Sequence, residues 1–413
     1  MMSDVITSAD WQSWERKVSE LLYSNVIQVG DYRFTRPAPA IYEHQWLWDS
    51  AFHAIIYRWF DVGMAGDELL SDAAHQLESG ADAGMIPHMS YWRGGGAPLW
   101  GIDDHSLITQ PPLLAIAAQL VYERSGDLDL LEALYPRLER YHQWFERRRD
   151  PDGDHLVCII HPWESWDASP RWDHILGLKP FSHERGREAR MALAATIREY
   201  DGDALALARD GYFHVEPIDV NAIRAADLEA LSFIAGQTGR SAEAERWQAN
   251  AQAVQRAVSK KLLKNGAHDL AGVEEIAIEA PSASDFVALF GGCATREQAQ
   301  RLVERLRAAE NWTPYPVPTT PTTSPDFAPE MYWRGNVWLP VNWLIYMGLR
   351  RYGYRELARD LAARSMRLVE ENGFWEFYHP LSGRGLGAEH QSWSALVLDM
   401  LAQEKGMASD GKA

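Results

Sequence analysis

Residues 240–263 read RSAEAERWQANAQAVQRAVSKKLL and indicate which kind of fold to expect. Apolar side chains recur in this stretch every three or four residues, at Trp247, Ala251, Val254, Val258 and Leu262. This period is typical of an α-helix that buries one face. Ser241 stands where a capping residue is expected, and Glu243 would favour the positive N-terminal end of the helix. The stretch therefore predicts an amphipathic helix that packs on a core.

The same period recurs along most of the chain. In residues 354–371 it involves Leu357, Leu361, Leu368 and Val369, and the pair at 372–373, Asn-Gly, is a stop signal. Comparable patterns bring the total to about a dozen helices, over residues 8–27, 49–62, 64–79, 105–124, 127–148, 186–200, 219–238, 281–291, 295–309, 335–352 and 391–405. One segment, residues 156–160, predicts a short strand. The alternation of strands and helices that builds a parallel sheet is missing, so the predicted class is all-α.

The connections between these helices differ in length. Residues 239–240 and 351–353 form short turns, whereas most of the unusual Trp, Asp and Glu residues fall in long loops at 28–48, 83–104, 161–185, 311–334 and 372–392. Long loops usually carry function. We therefore expect a toroid of paired helices, a single domain over residues 1–413, with its long loops at one end and loop-rich insertions around 83–104, 161–185 and 311–334.

Composition and charge exclude several classes of protein. The chain has 413 residues, 46% hydrophobic and 24% charged, which argues against disorder. A net charge of -18 disfavours nucleic acid and anionic membranes as partners. No apolar stretch is long enough to span a membrane, and the first residues show no signal-peptide pattern. We expect a cytoplasmic protein, and a homo-oligomer is compatible with the sequence.

Signals for a metal or a cofactor are weak. Cys158 and Cys293 are the only cysteines and lie far apart, which argues against a disulfide scaffold or a Cys-type zinc site. The run DPDGD at residues 150–154 resembles the start of a calcium loop. However, its glycine is misplaced and the bidentate glutamate is missing, so a turn is favoured. Because HExxH, GxSxG, P-loop and GxGxxG motifs are also missing, we expect no metal and no cofactor.

The tryptophan content indicates a class of ligand. The chain has 18 tryptophans, more than a core needs, since each buried indole must also place its N–H group. Flat aromatic faces stack on sugars or bases, and the negative charge disfavours bases. A core that simply uses many tryptophans is the structural alternative. Aromatic and acidic residues nevertheless occur together in segments 42–50, 161–173, 330–338 and 374–393, and this combination is typical of a glycosidase.

Glycoside hydrolysis requires two carboxyl groups in different environments. One must be protonated to act on the leaving oxygen, and the other acts as a base or nucleophile. Apolar surroundings raise the pKa of the first group. Asp49 in the first segment could instead cap a helix, and Arg334 in the third could bind a substrate carboxylate or pair with an acidic loop.

The motifs HQWLWDSAFH, HPWESWDASPRWD, MYWRGNVWLPVNWL and WEFYHPLSGRGLGAEHQSWSAL together resemble glycoside hydrolase family 63 and, more distantly, the trehalases. The compact length is similar to that of the bacterial mannosylglycerate and glucosylglycerate hydrolases of this family. The resemblance implies an (α/α)6 barrel and hydrolysis of mannosylglycerate or glucosylglycerate with inversion. A small saccharide is then the expected partner.

The resemblance also implies roles for individual residues. Asp167 matches the general acid, although this loop lacks the glycine expected between Ser165 and Trp166. Glu376 matches the general base, and Glu389 is an alternative. Asp173 and Glu330 are weaker alternatives. The residues expected to bind the substrate are Tyr42, Trp46, Trp48, Asp49, His88, Tyr91, Gln110, Arg171, Tyr332, Trp333, Arg334, Trp338, Gln391 and Trp393.

For the inverting reaction we expect the two carboxyl groups about 6.5–9.5 Å apart, which leaves space for a water. A carboxylate in the leaving group would require a cation, for which Arg93, Arg171 and Arg334 are the candidates. Other functions remain open at this stage. They are an α-glucosidase or trehalase-like enzyme acting on neutral sugars, a sugar epimerase or isomerase that uses paired histidines, and a carbohydrate-binding protein without turnover. The histidines in or beside the loops are His44, His88, His105, His161, His174 and His379.

Overall fold

The computed structural model of the chain describes residues 9–407. Three predictions lie partly outside these residues: the start of the first helix at residue 8, the missing signal peptide, and the two ends of the single domain. Within them the α-helices are α1 Trp11–Asn25, α2 Leu47–Tyr57, α3 Val62–Ala73, α4 Ala97–Trp100, α5 Leu114–Ser125, α6 Leu128–Arg148, α7 His183–Glu199, α8 Ala204–Arg209, α9 Ile218–Gln237, α10 Ser241–Ala257, α11 Ser284–Val287, α12 Arg296–Leu306, α13 Leu339–Arg351, α14 Arg355–Asn372 and α15 Val397–Glu404.

Six helical segments contact one another in a closed cycle. Helix α2 packs on α5, α5 on α9, α9 on α11 and α11 on α13. The C-terminal segment, a 3₁₀ turn at Ser392–Leu396 followed by α15, contacts both α13 and α2 and so completes the cycle. Every residue of α2 and of α11 is buried. Helices that are buried on all sides lie in the interior, so these segments form the inner layer.

A second layer of helices covers the first. Helices α3, α6, α10, α12 and α14 pack on α2, α5, α9, α11 and α13 respectively, and α1 packs on α15. Helix α10 corresponds to the stretch at residues 240–263, and its predicted apolar face is buried. After Ala257 the chain continues as a π-helix over Val258–Leu262. The predicted cap is wrong, because Ser241 is already the first helical residue and Arg240 precedes it without a side-chain hydrogen bond.

Several predicted helices are shorter than their apolar patterns. The helix predicted over 105–124 begins only at Leu114, since Pro111 and Pro112 precede it and proline disfavours a helical residue before it. In the region 281–291 only Ser284–Val287 is α-helical. The region 391–405 starts as the 3₁₀ turn and becomes an α-helix at Val397. No helix of residues 9–407 is long and apolar enough to cross a membrane.

The strands are short and the pairs between them are antiparallel. They are β1 Val26–Val29, β2 Tyr32–Thr35, β3 Gln45–Trp46, β4 Met89–Ser90, β5 Val215–Glu216, β6 Asp269–Ala271, β7 Ile276–Ile278, β8 Trp375–Tyr378 and β9 Gly385–Glu389. The sheets have the orders β1-β2, β3-β4, β5-β6-β7 and β8-β9. The hairpin β8-β9 lies in a loop that was expected to be irregular. The hairpin β1-β2 lies mostly in another such loop, but its residues Val26 and Ile27 were predicted to be helical.

The strand predicted at residues 156–160 is wrong, although the segment is buried. Val157 exchanges hydrogen bonds with the side chain of Asn221, and the Cys158 N–H donates to the carbonyl of Arg149. Only Ile159 forms a β-bridge, with Val215. The backbone hydrogen bonds of this segment are therefore made mainly with the Asn221 side chain and with Arg149 at the end of α6. An apolar run in a sequence cannot reveal such partners.

Candidate active site

A cavity of about 430 Å³ opens among the long loops at the ends of the inner helices. Three of its lining residues carry carboxyl groups, Asp49, Asp167 and Glu376, and they come from three different segments. The others that were predicted are Tyr42, Trp46, Trp48, His88, Gln110, Tyr332, Trp333, Gln391 and Trp393. The four segments singled out in the sequence therefore converge on one cavity.

Glu376 is held by three hydrogen bonds in strand β8. Its Oε1 accepts hydrogen bonds from the hydroxyls of Tyr42 and Tyr332, each at 2.6 Å, and its Oε2 accepts one from the backbone N–H of Ala388 at 2.9 Å. The side chain is 2% exposed. Burial raises the pKa of Glu376, and the three hydrogen bonds oppose that rise because they stabilise the carboxylate. The site thus holds this group in a fixed position with its charged form supported.

The hairpin β8-β9 brings the backbone within reach of Glu376. Gly387 has a φ of +73°, and a Cβ atom at this position would lie 2.3 Å from Oε2 of Glu376. Glycine tolerates both this conformation and this approach. The adjacent N–H of Ala388 can therefore reach the carboxylate.

The loop that carries Asp167 is fixed on both sides of this residue. Trp172 donates an indole hydrogen bond of 2.7 Å to the carbonyl of Trp166, and Arg334 donates one of 3.1 Å to the carbonyl of Ala168. Upstream, the buried Glu164 forms a bidentate ion pair with Arg149 at 2.7 and 2.8 Å. These contacts hold the backbone of the loop through groups outside the cavity.

The carboxyl group of Asp167 has a different environment from that of Glu376. No side chain of residues 9–407 donates a hydrogen bond to it. Burial raises the pKa of Asp167 to about 7, the positive charge of Arg190 opposes this rise, and the negative charge of Glu376 adds to it. Near neutral pH this carboxyl therefore keeps a substantial protonated fraction, while Glu376 has three donors that favour its ionised form.

Polar groups available to a ligand surround the two acids. Asp49 and Gln391 are buried, and Oδ1 of Asp49 and both amide atoms of Gln391 have no hydrogen-bond partner among the described residues. Gln110 accepts a hydrogen bond from the N–H of Trp48 at 3.2 Å. Buried polar atoms are rarely left unpaired, so the free atoms of Asp49 and Gln391 suit ligand hydroxyls.

The aromatic side chains form a stack behind and beside these polar groups. The rings of Trp333 and Trp338 are parallel, with centroids 3.7 Å apart, and Trp166 stacks on Trp333 at 5.1 Å. Trp393 donates an indole hydrogen bond to the carbonyl of Glu376 at 3.0 Å. Trp333 has a φ of +61°, a conformation rare outside glycine, which is typical of functional sites. The cavity thus offers flat apolar walls with few, well-placed polar groups.

Comparisons with known proteins identify the family of this chain. The family described as mannosylglycerate hydrolase MGH1-like glycoside hydrolase domain matches residues 42–394. The chain belongs to this family. It is 34% identical over 405 residues to a mannosylglycerate hydrolase from Thermus thermophilus, a match that covers 88% of this chain and 95% of that protein.

This glycoside hydrolase is also similar to two further proteins. The glucosylglycerate hydrolase of Mycolicibacterium hassiacum is 28% identical over 430 residues, covering 89% of this chain and 94% of that protein. The crystal structure of a GH63 mannosylglycerate hydrolase from Thermus thermophilus in complex with Tris and D-glycerate has a TM-score of 0.84 and 31% identity, covering 94% of this chain and 100% of that chain. The resemblance to family 63 inferred from the motifs is confirmed.

Four residues that were expected to bind the substrate do not line the cavity of this glycoside hydrolase. Arg171 pairs with Asp219 and Asp269, each at 3.0 Å, and Arg334 forms a bidentate pair with Asp173 at 2.7 and 2.9 Å. The other two are Tyr91, which accepts an indole hydrogen bond from Trp100, and Trp338, which lies behind Trp333. Arg171 and Arg334 therefore form ion pairs with buried acids and are not free to bind a substrate carboxylate. Only the tertiary structure reveals these pairs.

The alternative acids also lie outside the cavity. Glu389 is exposed on β9, Glu330 is exposed and pairs with Arg384, and Asp173 is the partner of Arg334. The third cationic candidate, Arg93, is exposed and does not contact the cavity either. Of the carboxyl groups considered as acid or base, Asp167 and Glu376 are thus the pair that the fold brings together.

The prediction missed a cationic residue of the cavity, Arg190. This residue is on α7, and it contributes to the cavity lining together with His183, Trp163, Ser165, Pro37, Met89 and Leu99. The buried residues of α7 are Gly186, Leu193, Ala194 and Ile197. Arg190 stands four residues after the first and three before the second, so it interrupts the apolar face of the helix. A charged residue on this apolar face was the feature of the sequence that could have indicated Arg190 as a site residue.

The six histidines named from the sequence do not form an acid–base pair in the cavity. Of the six that were considered, His88 alone lines it, and burial lowers its pKa to about 3. His161 contacts the carbonyl of Arg190 and accepts a hydrogen bond from the N–H of Trp163, which makes it structural. This placement disfavours an epimerase or isomerase that uses two of these six histidines.

Proposed function

We propose that the chain hydrolyses mannosylglycerate or glucosylglycerate with inversion, with Asp167 as general acid and Glu376 as general base. The observation that carries the proposal is that these two carboxyl groups share one cavity but have opposite environments. Burial favours a proton on Asp167, and three hydrogen bonds favour the charge on Glu376. Two carboxyl groups whose environments separate their pKa values are the requirement of this reaction.

In the proposed reaction Asp167 donates its proton to the glycosidic oxygen as the bond from this oxygen to the anomeric carbon breaks. A water on the opposite face of the sugar ring attacks that carbon, and Glu376 accepts the proton of the water. The products are the free sugar with inverted configuration and glycerate, and a later exchange of protons with solvent restores both carboxyl groups. Tyr42 and Tyr332 orient Glu376, and Asp49 and Gln391 offer hydrogen bonds to the sugar hydroxyls.

Arg190 supports glycerate as the leaving group. It lines the cavity, and no carboxylate oxygen of the described residues lies within ion-pair distance of its guanidinium. An arginine without an acidic partner in a site that contains Asp167 and Glu376 suits a substrate that carries its own carboxylate. The names of the relatives, mannosylglycerate and glucosylglycerate hydrolase, agree with this chemistry.

A panel of substrates tests the proposal. Incubation with mannosylglycerate, glucosylglycerate and neutral α-disaccharides should release sugar from a glycosylglycerate and little or none from the neutral compounds. The variant Arg190→Met should raise KM for the glycosylglycerate substrate, whereas Arg187→Met, an exposed arginine on the same helix, should not. Release of glucose from neutral substrates without activity on either glycerate compound would overturn the assignment.

We also propose that the two layers of helices form an (α/α)6 barrel and a single domain. The closed cycle of six inner segments, each covered by an outer helix, supports this architecture. A crystal structure tests it, since the six inner segments should enclose the cavity at one end. The cytoplasmic location and the homo-oligomer stay predictions from the sequence.

A further inference from the structure

A second group of acidic residues lies outside the active-site cavity, at the sheet β5-β6-β7. Asp154 follows α6, Glu216 belongs to β5, and Glu275 lies in the turn between β6 and β7. Carboxylate oxygens of these three residues all lie within 4.8 Å of one another. Asp154 is also part of the DPDGD run, in which oxygens of Asp150, Asp152 and Asp154 lie within the same distance.

Glu216 differs from an ordinary surface acid. Its side chain is 2% exposed, and its Oε2 is buried without a hydrogen-bond partner among the described residues. An unpaired buried carboxylate is costly, so such an oxygen requires an explanation. The carboxyl groups of Asp154 and Glu275 lie beside it. The unpaired oxygen of Glu216 is therefore available to a bound cation.

The basic side chain of this cluster, Lys261, does not pair with Glu216. Nζ of Lys261 lies 2.5 Å from Asp154 and contacts Glu275, but it makes no ion pair with Glu216. One ammonium group thus faces three carboxylates. A divalent cation that prefers oxygen ligands would bind all three at once.

We infer that Asp154, Glu216 and Glu275 bind a calcium ion that stabilises the structure. Carboxylates from three separate segments suit Ca²⁺, which accepts irregular oxygen geometry, better than Mg²⁺, which demands a near-ideal octahedron. Asp152 is exposed beside Asp154 and offers a further oxygen. On binding, the ion displaces the ammonium of Lys261 from the carboxylates.

The position of the site indicates what the ion would do. It would join the bend after α6 to β5 and to the β6-β7 turn. Strand β5 leads into Asp219, which bonds Arg171 and Ser165 in the loop of the proposed general acid, and Asp269 of β6 also pairs with Arg171. The ion would therefore stiffen the support of that loop without contacting substrate. This inference departs from the turn without metal that was expected at residues 150–154, and it does not depend on the proposed function.

Calcium binding by the full chain tests the inference. After treatment with chelator and its removal, titration with CaCl₂ should give saturable heat in calorimetry. It should also raise Tm by roughly 2 °C or more. KCl at matched ionic strength should not produce this rise. The near-isosteric variant Glu216→Gln should weaken Ca²⁺ binding at least about tenfold, since ligand charge sets the affinity of such sites. Glu132→Gln, which removes an acid from an exposed ion pair with Arg240, should bind Ca²⁺ as the wild type does.

Lys261→Met provides an independent variant. Because it removes the competing ammonium, it should bind Ca²⁺ more tightly than the wild type, even if Glu216→Gln fails to fold. Circular dichroism shows which variants are folded. Wild-type protein that gives neither saturable heat nor a calcium-specific rise in Tm would overturn the inference. Folded Glu216→Gln with wild-type affinity would also overturn it.

Discussion

The hairpin around Glu376 and the loop around Asp167 hold their carboxyl groups in two different ways. In the hairpin the donors contact the carboxylate itself, through Tyr42, Tyr332 and the N–H of Ala388. In the loop the backbone is anchored on both sides of Asp167, and the carboxyl group receives no side-chain hydrogen bond from the described residues. Direct donors support a charge, whereas burial without donors supports a proton. The difference supports Glu376 as the proposed base and Asp167 as the proposed acid.

The largest expected effect comes from removing either group. Asp167→Asn and Glu376→Gln should each lower kcat by about a thousandfold with the fold intact. The two variants should differ on a substrate with an activated aryl leaving group, which needs no proton. Asp167→Asn should recover much of its rate there, and Glu376→Gln should not. Equal recovery by both variants would remove the distinction between the two environments.

The hairpin geometry can be disturbed without substituting either acidic residue. Gly387→Ala places a Cβ against Glu376 and should lower kcat by about a hundredfold, the effect of a small misplacement. Gly30→Ala is the matched control, because Gly30 also has a positive φ but its Cβ would meet no atom within 4 Å. A similar loss of kcat in both variants would mean that backbone strain, and not the position of Glu376, is responsible.

The anchoring of the loop can be tested through stability. Arg149→Met leaves the buried Glu164 without its ion pair and should lower the free energy of unfolding by about 3–5 kcal/mol. Arg33→Met breaks an exposed pair with Asp67 and should cost about 1 kcal/mol or less. Denaturant unfolding measures both. Equal losses would contradict the role assigned to the Arg149–Glu164 pair.

The smallest expected effect is a shift of the pH profile. The hydrogen bond from Tyr332 lowers the pKa of Glu376, so Tyr332→Phe should raise that pKa. Because the base must be ionised, the acidic limb of kcat/KM should move to higher pH. The basic limb, set near pH 7 by the pKa of Asp167, should stay in place. Movement of the basic limb alone would reverse the assignment of acid and base.

The helical layers could be predicted from the sequence because their apolar periods are long and regular, as in α10 and α14. The hairpin β8-β9 could not, since Gly385 and Gly387 resemble loop residues and the strand pairing depends on contacts between segments. The proline pair at 111–112 does explain the late start of α5, so that boundary error was avoidable.

The residues of the site likewise include some that the sequence could indicate and some that it could not. Asp167 and Glu376 could be proposed because carboxylates among tryptophans are unusual in a local sequence and because their motifs resemble family 63. Arg171 and Arg334 were misassigned because their partners, Asp219 and Asp173, are brought to them only by the fold. Arg190 was missed because it lies within a helix with several other arginines, and only its place on the apolar face distinguished it.

The anomeric form of the first sugar released is the most direct test of the account. Proton NMR during hydrolysis of the preferred α-linked glycosylglycerate should show the β-anomer first, with the α-anomer growing later by mutarotation. This result follows if Glu376 activates a water on the face opposite to the leaving group. Initial release of the α-anomer would mean retention and would contradict the assignment of Asp167 and Glu376 as an inverting pair.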